Sequence, residues 1–250
     1  MTEDTQAVHE HILTLLEAEG ATSVLDLGCG PGEHLRMLAR TMPAGVRLAG
    51  VDFRDQVLAE ARASVGDDPR LAFLRHDLTE RLPFDDQTFD RVLSVNVLEA
   101  IPDKAAFVRE AHRVLKPGGR VVCAHYEWES QLFDGTDKEL VRRIVNAYSE
   151  WKLSWMPTSD GWMGRRLWGV FQESGLFEGR MDAYTHTSTR YEAGCYGFDR
   201  SRDFEGLVKR GKISQDEYDG FVGGLDRLAE QERYFFAITM FSYVGSKNRP

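Results

Sequence analysis

The chain has 250 residues, of which 42% are hydrophobic and 28% are charged, a composition typical of a folded globular protein and not of a disordered one. Its 40 acidic residues outnumber its 31 basic residues, which gives a formal net charge of −9. Because an acidic surface repels phosphate backbones, nucleic acid is not expected as a partner. A chain of this length can bury a sizeable core within one domain.

The N-terminal segment and the cysteines give no sign of secretion, membrane insertion or metal binding. The first residues are acidic and no apolar segment follows them, so no signal peptide is predicted. The longest apolar run, residues 234–241, is too short to span a bilayer. Cys29, Cys123 and Cys195 are far apart, which argues against a disulfide framework and a structural zinc site. We therefore expect a cytoplasmic protein without a membrane span or a metal.

The first half of the chain alternates between helical and strand patterns. An apolar face with Val8, Ile12 and Leu16 predicts an N-terminal helix that ends at Gly20. The strands that follow are predicted at 23–27, 46–51, 71–74, 91–95 and 120–125, with helices near 35–39, 56–64 and 104–115. A turn is predicted at 116–119, because Pro and Gly end helices. This alternation predicts a mostly parallel sheet with helices on both faces.

The second half combines two predicted strands with several predicted helices. Residues 136–139 and 214–217 have the spacing of a capping box, and each precedes an apolar helical face. Another helix is predicted at 165–174, and the last strands at 181–189 and 234–244. Residues 191–232, between those strands, have helical patterns. We therefore expect the α/β class, as a three-layer sandwich with a seven-stranded sheet and a helical cap inserted between its last two strands.

The strongest local signal is a glycine-rich turn between the first predicted strand and the next helix. Gly28, Cys29, Gly30 and Gly32 form a G-x-G-x-G stretch in which the backbone can turn tightly and approach a ligand. Such a turn lies where sheets of this kind bind nucleotides, at the carboxyl end of a strand. A glycine-rich turn alone does not identify the ligand, because loops that bind dinucleotides or phosphates also use glycines to bring the backbone close to the ligand.

Acidic residues at three successive strand ends narrow the choice of ligand. Asp26 precedes the first glycine by two residues, where it can face a cationic amine but would repel a pyrophosphate. Asp52 ends the second strand, where it can accept hydrogen bonds from both hydroxyls of a ribose, and Phe53 offers a flat apolar surface to a purine. Asp77 ends the third strand, where it can accept a hydrogen bond from an exocyclic amine.

This set of residues resembles the class I, Rossmann-like S-adenosylmethionine-dependent methyltransferases. The resemblance covers about residues 20–126, and the stretches 82–99 and 110–120 are similar to ubiquinone and menaquinone C-methyltransferases and to many small-molecule methyltransferases. It implies S-adenosylmethionine as the cofactor. Because no internal repeat or low-complexity linker is visible, we expect one domain, 1–250, with an N-terminal helix (1–20), a cofactor-binding half (21–126), an acceptor-side segment (127–175) and a cap (191–232).

The resemblance also implies how the cofactor is held. Asp26 and the glycines would hold its methionine end, and Asp52 would hold the ribose. Asp77 and Leu78 would bind the adenine, and Asn96 would lie under the reactive sulfur. Glu33 departs from the small or hydroxylated residue that is common after the third glycine, and we expect it to point outward.

The end of the fifth predicted strand is expected to face the acceptor, since strand ends of this fold line the ligand crevice. His125 is the first candidate base, because imidazole titrates near neutral pH, and Glu127 is the second. A carboxylate at Glu127 would raise the pKa of His125. Tyr126 could orient the acceptor. The alternative for His125 is a hydrogen-bonded histidine at a strand end without a chemical role.

The acceptor is expected to be a small molecule. All five tryptophans lie between Glu127 and Trp168, and the loop at 155–163 is predicted to form a wall of the acceptor pocket. The segment 191–232 would cover this pocket, or alternatively form an oligomer contact such as that of a homodimer. The predicted function is methyl transfer to O, N or C of an aromatic or amphiphilic acceptor. The alternatives are quinone C-methylation, a nicotinamide-dependent oxidoreductase and a non-catalytic cofactor-binding protein.

Overall fold

The structure is a computed structural model, and it describes residues 2–248. Within this range the strands are β1 (Ser23–Leu27), β2 (Arg47–Asp52), β3 (Leu71–Arg75), β4 (Phe89–Val95), β5 (Leu115–Tyr126), β6 (Leu132–Phe133), β7 (Glu178–Ser188) and β8 (Phe236–Ser246). The α-helices are α1 (Gln6–Leu16), α2 (Glu33–Thr41), α3 (Asp55–Val65), α4 (Lys104–Val114), α5 (Lys138–Ser149), α6 (Met163–Ser174), α7 (Tyr196–Asp203), α8 (Glu205–Lys209) and α9 (Gln215–Glu230).

The strands form one mixed sheet in the order β3-β2-β1-β4-β5-β8, with β7 on the far side of β8. The first five strands are parallel, and β8 is antiparallel to both β5 and β7. The short β6 pairs with the first two residues of β8. The predicted α/β class with a mostly parallel sheet is confirmed. The sheet has one two-residue strand more than the seven predicted, a segment too short to leave a pattern in the sequence.

Side chains of β5 alternate between the two faces of the sheet, as in any strand. Ala124 and Tyr126 belong to the apolar cluster that also contains residues of α5, α8 and α9. Val121 and Cys123 belong to the other cluster, which includes residues of α4 and α6. The alternation places His125 on the α6 side of the sheet, opposite Tyr126. This register decides which residues of the strand can reach a ligand.

Two local expectations are wrong. Residues 116–119, predicted as a turn, belong to β5, which begins directly after α4 and shows a register shift against β4. Gly119 makes this route feasible, because a Cβ at that position would lie 2.8 Å from the Lys116 carbonyl oxygen. Helix α5 is capped by Asp137 and not by Thr136, since Asp137 accepts hydrogen bonds from the next helical amides. The second capping box, at Ser214, is confirmed.

Helices α7, α8 and α9 form the insertion between β7 and β8, as the sequence predicts. Phe204, Leu207, Phe221 and Leu225 of this segment are buried in the same apolar cluster as Ile144 of α5. The insertion is therefore packed onto the domain and not merely tethered to it. Among residues 2–248, no helix combines the length and the apolar character that crossing a bilayer requires.

Candidate active site

The glycine-rich turn is held against the end of β2. The Gly28 and Cys29 amides both donate to the Val51 carbonyl, at 2.8 and 3.0 Å, and the Gly30 amide donates to Asp52 Oδ2 at 3.1 Å. Gly28 has a φ of 78°, and a Cβ there would lie 2.3 Å from Val97 Cγ2. A side chain at Gly28 would therefore require both a strained backbone and displacement of Val97. The turn is fixed in a shape that only glycine allows.

A cavity of about 490 Å³ opens beside this turn. It lies along the carboxyl ends of β1, β2, β3 and β4, where ligands bind in open α/β sheets. The structure brings most of the predicted cofactor residues together in its wall, which includes Gly28, Asp52, Phe53, Asp77, Leu78 and Asn96. Arg54, which sequence reasoning missed, also lines this cavity, and so does Trp155 of the loop 155–163, which was predicted as a wall of the acceptor pocket.

Asp52 is a buried carboxylate at the end of β2. Its Oδ1 accepts hydrogen bonds from the Arg54 amide and from Arg54 Nε, at 3.0 and 3.2 Å. The Arg54 guanidinium in turn lies 4.9 Å from the ring centre of Trp155. Phe53 is 40% exposed, and its ring centre is 5.8 Å from that of Trp155. Two aromatic rings and a carboxylate thus line the same cavity, an arrangement that suits a flat ring bearing hydroxyl groups.

Asp26 lies deeper, in β1, and is buried with no hydrogen-bond partner on Oδ2 among the described residues. Burial, and then the charge of Asp52, raise the pKa of Asp26 to about 7. His34 Nδ1 is 3.9 Å from Oδ2, but burial lowers the pKa of His34 to about 3, so this imidazole is neutral. A buried carboxyl without a cationic partner fits the binding of an ammonium group.

The remaining predicted cofactor residues differ in their surroundings. Asp77 is exposed, and its Oδ1 accepts hydrogen bonds from the amide and hydroxyl of Thr79, at 2.9 and 2.8 Å, while Leu78 is buried. Asn96 has a φ of 56°, a conformation that Asn adopts more easily than most residues. Its Oδ1 accepts a hydrogen bond from the Tyr126 amide at 2.9 Å. Asn96 therefore joins the ends of β4 and β5 at the mouth of the cavity.

Two further cavities, of about 450 and 280 Å³, lead from the glycine-rich turn toward the insertion. We call them together the acceptor cavity, after the role proposed below; both are lined by Glu99, Trp128, Leu153, Met156 and Arg200. The larger one is also lined by Gly28, Cys29 and Gly30. Gly28, Arg54, Asn96 and Trp155 line both the first cavity and the acceptor cavity. Tyr126 lines the acceptor cavity as well, and its buried hydroxyl has no partner among residues 2–248. The space beside the glycines is therefore continuous with an aromatic chamber under α7.

Glu99 is the only carboxylate that lines both parts of the acceptor cavity within the described chain. Its Oε2 accepts a hydrogen bond from Trp128 Nε1 at 2.7 Å, and its Oε1 lies 3.7 Å from His125 Nε2. Burial raises the pKa of Glu99 to about 7. Sequence reasoning missed this residue, although it closes the motif stretch 82–99 three positions after Asn96.

The two predicted base candidates lie behind the acceptor cavity and not in its lining. His125 is 1% exposed, its Nδ1 is 2.8 Å from the Tyr126 carbonyl oxygen, and its Nε2 has no hydrogen-bond partner in the described chain. Glu127 accepts a hydrogen bond from the Arg165 amide at 3.0 Å and pairs with the Arg165 guanidinium. The expected rise in the pKa of His125 is wrong, because burial lowers it to about 4. The carboxylate nearest its Nε2 is Glu99.

Comparison with known proteins matches this chain to one family model and to relatives of similar sequence. A family model described as a methyltransferase domain matches residues 25–123. An uncharacterized 37.1 kDa protein in transposon Tn4556 of Streptomyces fradiae is 33% identical over 98% of this chain and 68% of its own length. The demethylmenaquinone methyltransferase of Listeria monocytogenes is 34% identical over 66% of this chain and 73% of its own.

A solved structure shares the fold. The phosphoethanolamine N-methyltransferase 2 of Haemonchus contortus, in complex with S-adenosyl-L-methionine, superposes with a TM-score of 0.54 at 21% identity. The superposition covers 96% of this chain and 53% of the other. At this identity the likeness is one of fold, and it places no acceptor in the cavity described above.

Proposed function

Because the chain belongs to the class I S-adenosylmethionine-dependent methyltransferases, we propose that it methylates a small aromatic or amphiphilic molecule bound in the acceptor cavity. The observation that carries the proposal is the continuity of two spaces. The cavity at the strand ends suits the cofactor, and it opens past Asn96 into a chamber lined by Tyr126, Trp128 and Tyr148. Aromatic walls favour a flat or apolar acceptor.

The residues present fit the cofactor that the family uses. Asp26 would pair with the ammonium of its methionine end, Asp52 with the ribose hydroxyls, and Phe53 with the purine ring. Asp77 and Leu78 would contact the adenine. When bound, S-adenosylmethionine supplies the electrophilic methyl group, and the chain has to orient the acceptor and exclude water. In this proposal α7, α8 and α9 are the cap that excludes water from the acceptor cavity.

For an oxygen or nitrogen acceptor we propose Glu99 as the base. The bound cofactor would supply the methyl group and keep the electron pair of its carbon–sulfur bond, and the chain would hold the acceptor atom with its own electron pair toward that methyl carbon. The proton released by the acceptor passes to Glu99 Oε1. Because His125 donates from Nδ1 to the Tyr126 carbonyl, its Nε2 carries a lone pair toward Glu99. His125 Nε2 lies 3.7 Å from Glu99 Oε1, so it could accept a hydrogen bond from protonated Glu99 only if the two side chains moved closer, and it would make no direct contact with the acceptor.

Quinone-ring C-methylation is the second candidate. It is favoured by the relatives of this chain that are named demethylmenaquinone methyltransferases. Such an acceptor would lie flat against the aromatic walls and react at a ring carbon. All of the residues invoked so far come from one chain, so neither candidate requires a homodimer to complete the site.

The experiment that tests the proposal uses the purified protein and S-adenosylmethionine with an isotopically labelled methyl group. Ligands that co-purify with the protein are first identified by mass spectrometry. Phenols, aromatic amines and a demethylmenaquinone analogue are then offered as acceptors. Label in a phenol or amine supports the proposal, and label in the quinone analogue alone selects the second candidate. Absence of S-adenosylmethionine binding contradicts both.

A further inference from the structure

Arg200 is a cation that the cap contributes to the acceptor cavity. It belongs to α7 and lines both parts of that cavity. Its guanidinium carbon is 5.5 Å from the ring centre of Trp128, 4.9 Å from Tyr148 and 5.0 Å from Tyr196. Three aromatic rings therefore fix the plane of the guanidinium within the chamber.

The hydrogen bonds of Arg200 leave one edge of the guanidinium unused. Nη1 donates to the Tyr148 hydroxyl and to Asp203 Oδ2, and Nη2 donates to the Tyr196 hydroxyl at 3.1 Å. Nε is buried and has no partner among residues 2–248. A guanidinium has five N–H groups, so the Nε–H and the second Nη2–H remain. When the Tyr196 hydroxyl takes the Nη2–H on the side of Nη1, the other Nη2–H lies beside the Nε–H, and this edge matches the two oxygens of a carboxylate.

The charge of Arg200 is only partly balanced by the protein. Its one paired carboxylate, Asp203, has a side chain that is 57% exposed, whereas the Arg200 side chain is 16% exposed. Glu99 lines the same cavity but forms no salt bridge with Arg200 among the described residues, and burial raises the pKa of Glu99 to about 7, so its negative charge is weakened at neutral pH. A buried cation with an unused fork of donors is costly unless a ligand pairs with it.

We propose that Arg200 binds a carboxylate of the methyl acceptor through Nε and Nη2, so that the acceptor is an aromatic acid. This inference rests on the proposed function and adds the charge class of its acceptor. The ring of the acid lies among Trp128, Tyr148 and Tyr196, and its nucleophilic atom lies on the side of Asn96 and Glu99. The cap thus selects the acceptor as well as covering it.

The test measures binding of acid and amide pairs to the protein saturated with S-adenosylhomocysteine. The probes are hydroxybenzoates, hydroxycinnamates and indole carboxylates, each beside its neutral amide. We expect at least one acid to bind about 10-fold or more tightly than its amide, as exchange of a charged hydrogen-bonded pair for a neutral one implies. Arg200→Met should abolish this difference. Arg202→Met, on the same helix but paired with Asp226 outside the cavity lining, should preserve it.

The comparison within wild-type protein keeps the proposal testable even if Arg200→Met does not fold. Equal affinities of acid and amide, or no binding of any acid, would overturn it. Tighter binding of the corresponding aryl phosphates would overturn the carboxylate assignment. In each of these cases saturable binding of S-adenosylhomocysteine would remain, so failure of this inference is distinguishable from failure of the proposed function.

Discussion

Asp52 is the residue on which binding of the ribose depends most directly. It is 4% exposed, and Gly30 and Arg54 already orient its two oxygens. We expect Asp52→Ala to weaken S-adenosylmethionine binding by on the order of 2–4 kcal/mol, because two hydrogen bonds to a charged acceptor are lost. Calorimetric titration checks this. The control is Asp55→Ala, whose side chain is 76% exposed and pairs with Arg75; an unchanged affinity in the Asp52 variant would reject the ribose assignment.

Asp26 links cofactor binding to pH. Below its raised pKa of about 7 the free protein carries a neutral carboxyl, but an ammonium group stabilises the carboxylate. Binding should therefore release a proton just below pH 7, and the affinity should rise with pH up to about 7. Above about pH 8 the amino group of the free ligand loses its own proton, so the affinity should fall again. Titrations in buffers of different ionisation enthalpy measure this release. Asp26→Asn should abolish it, and wild-type binding without proton release below pH 7 would contradict the assignment.

Glu99 should control the pH dependence of turnover. A base must be ionised, so the rate should rise as pH increases through about 7, the raised pKa of Glu99, and level off above. The charged or titratable groups that face it are Asp160 before α6, Lys104 of α4, Arg200 of α7 and His125 of β5. Its environment is thus set by four separate elements.

We expect Glu99→Gln to lower turnover by about 10²–10⁴-fold, the usual contribution of a positioned base, and to remove this rise. Cofactor affinity should stay near that of the wild type. Glu129→Gln is the matched control, because Glu129 pairs with Arg165 and lines no part of the acceptor cavity. If the Glu99→Gln variant kept both the wild-type rate and the rise of that rate through about pH 7, the acceptor would need no base and only alignment with the methyl group.

At the residue scale, the positions that sequence could predict are those fixed by the sheet itself. Asp26 and Asp52 belong to parallel strands, and parallel strands present their carboxyl ends at one edge. Trp155 and Arg200 belong to the loop 155–163 and to the insertion, which the sequence predicted at the acceptor pocket without indicating which of their side chains enter it. Their positions depend on how distant segments pack, and no local pattern encodes that packing.

At the scale of elements, the insertion docks through a close backbone approach. Gly206 of α8 faces Trp151, and a Cβ on it would lie 2.1 Å from Trp151 Cη2. Gly206→Ala should therefore destabilise the protein by about 1–3 kcal/mol, the usual cost of overpacking. Gly220→Ala, in α9 with nothing within 4 Å of its Cβ, should stabilise it by roughly 0.5–1 kcal/mol through helix propensity.

Thermal unfolding of the two variants checks the sign of each change. Amide exchange should also become faster in α8 of the Gly206 variant, because the helix can no longer rest on Trp151. If the Gly206→Ala variant were as stable as the wild type, the insertion could shift without loss of packing, as a loosely attached lid would.

The apolar periodicity of the sequence predicted most helices and strands, but it predicted the boundaries between them less accurately. A strand or helix is specified by apolar periodicity over many residues, whereas a boundary depends on one or two contacts. The start of β5 shows this, since the glycines at 118 and 119 could end a helix but here lie within the strand, which already begins at Leu115. His125 shows the consequence, because a shift of one residue along β5 would have placed it in the acceptor cavity.

At the scale of the whole molecule, two different parts of the chain build the candidate site. The cofactor side is built by the parallel half of the sheet, which both the sequence and the family match over residues 25–123 identify. In the proposed function, the acceptor side is built by β5, the loop before α6 and the insertion, together with Glu99 and Arg200. This proposal requires that the methyl group goes to a molecule small enough to be enclosed in that chamber.

The measurement that tests this claim most directly is the fate of a labelled methyl group. The protein is incubated with methyl-labelled S-adenosylmethionine and a cell extract separated into small-molecule, protein and nucleic-acid fractions. The proposed function requires label in one or a few small molecules, with loss of that label in the Asp52→Ala variant. Label that enters only protein or nucleic acid, or equal labelling by wild type and variant, would contradict it.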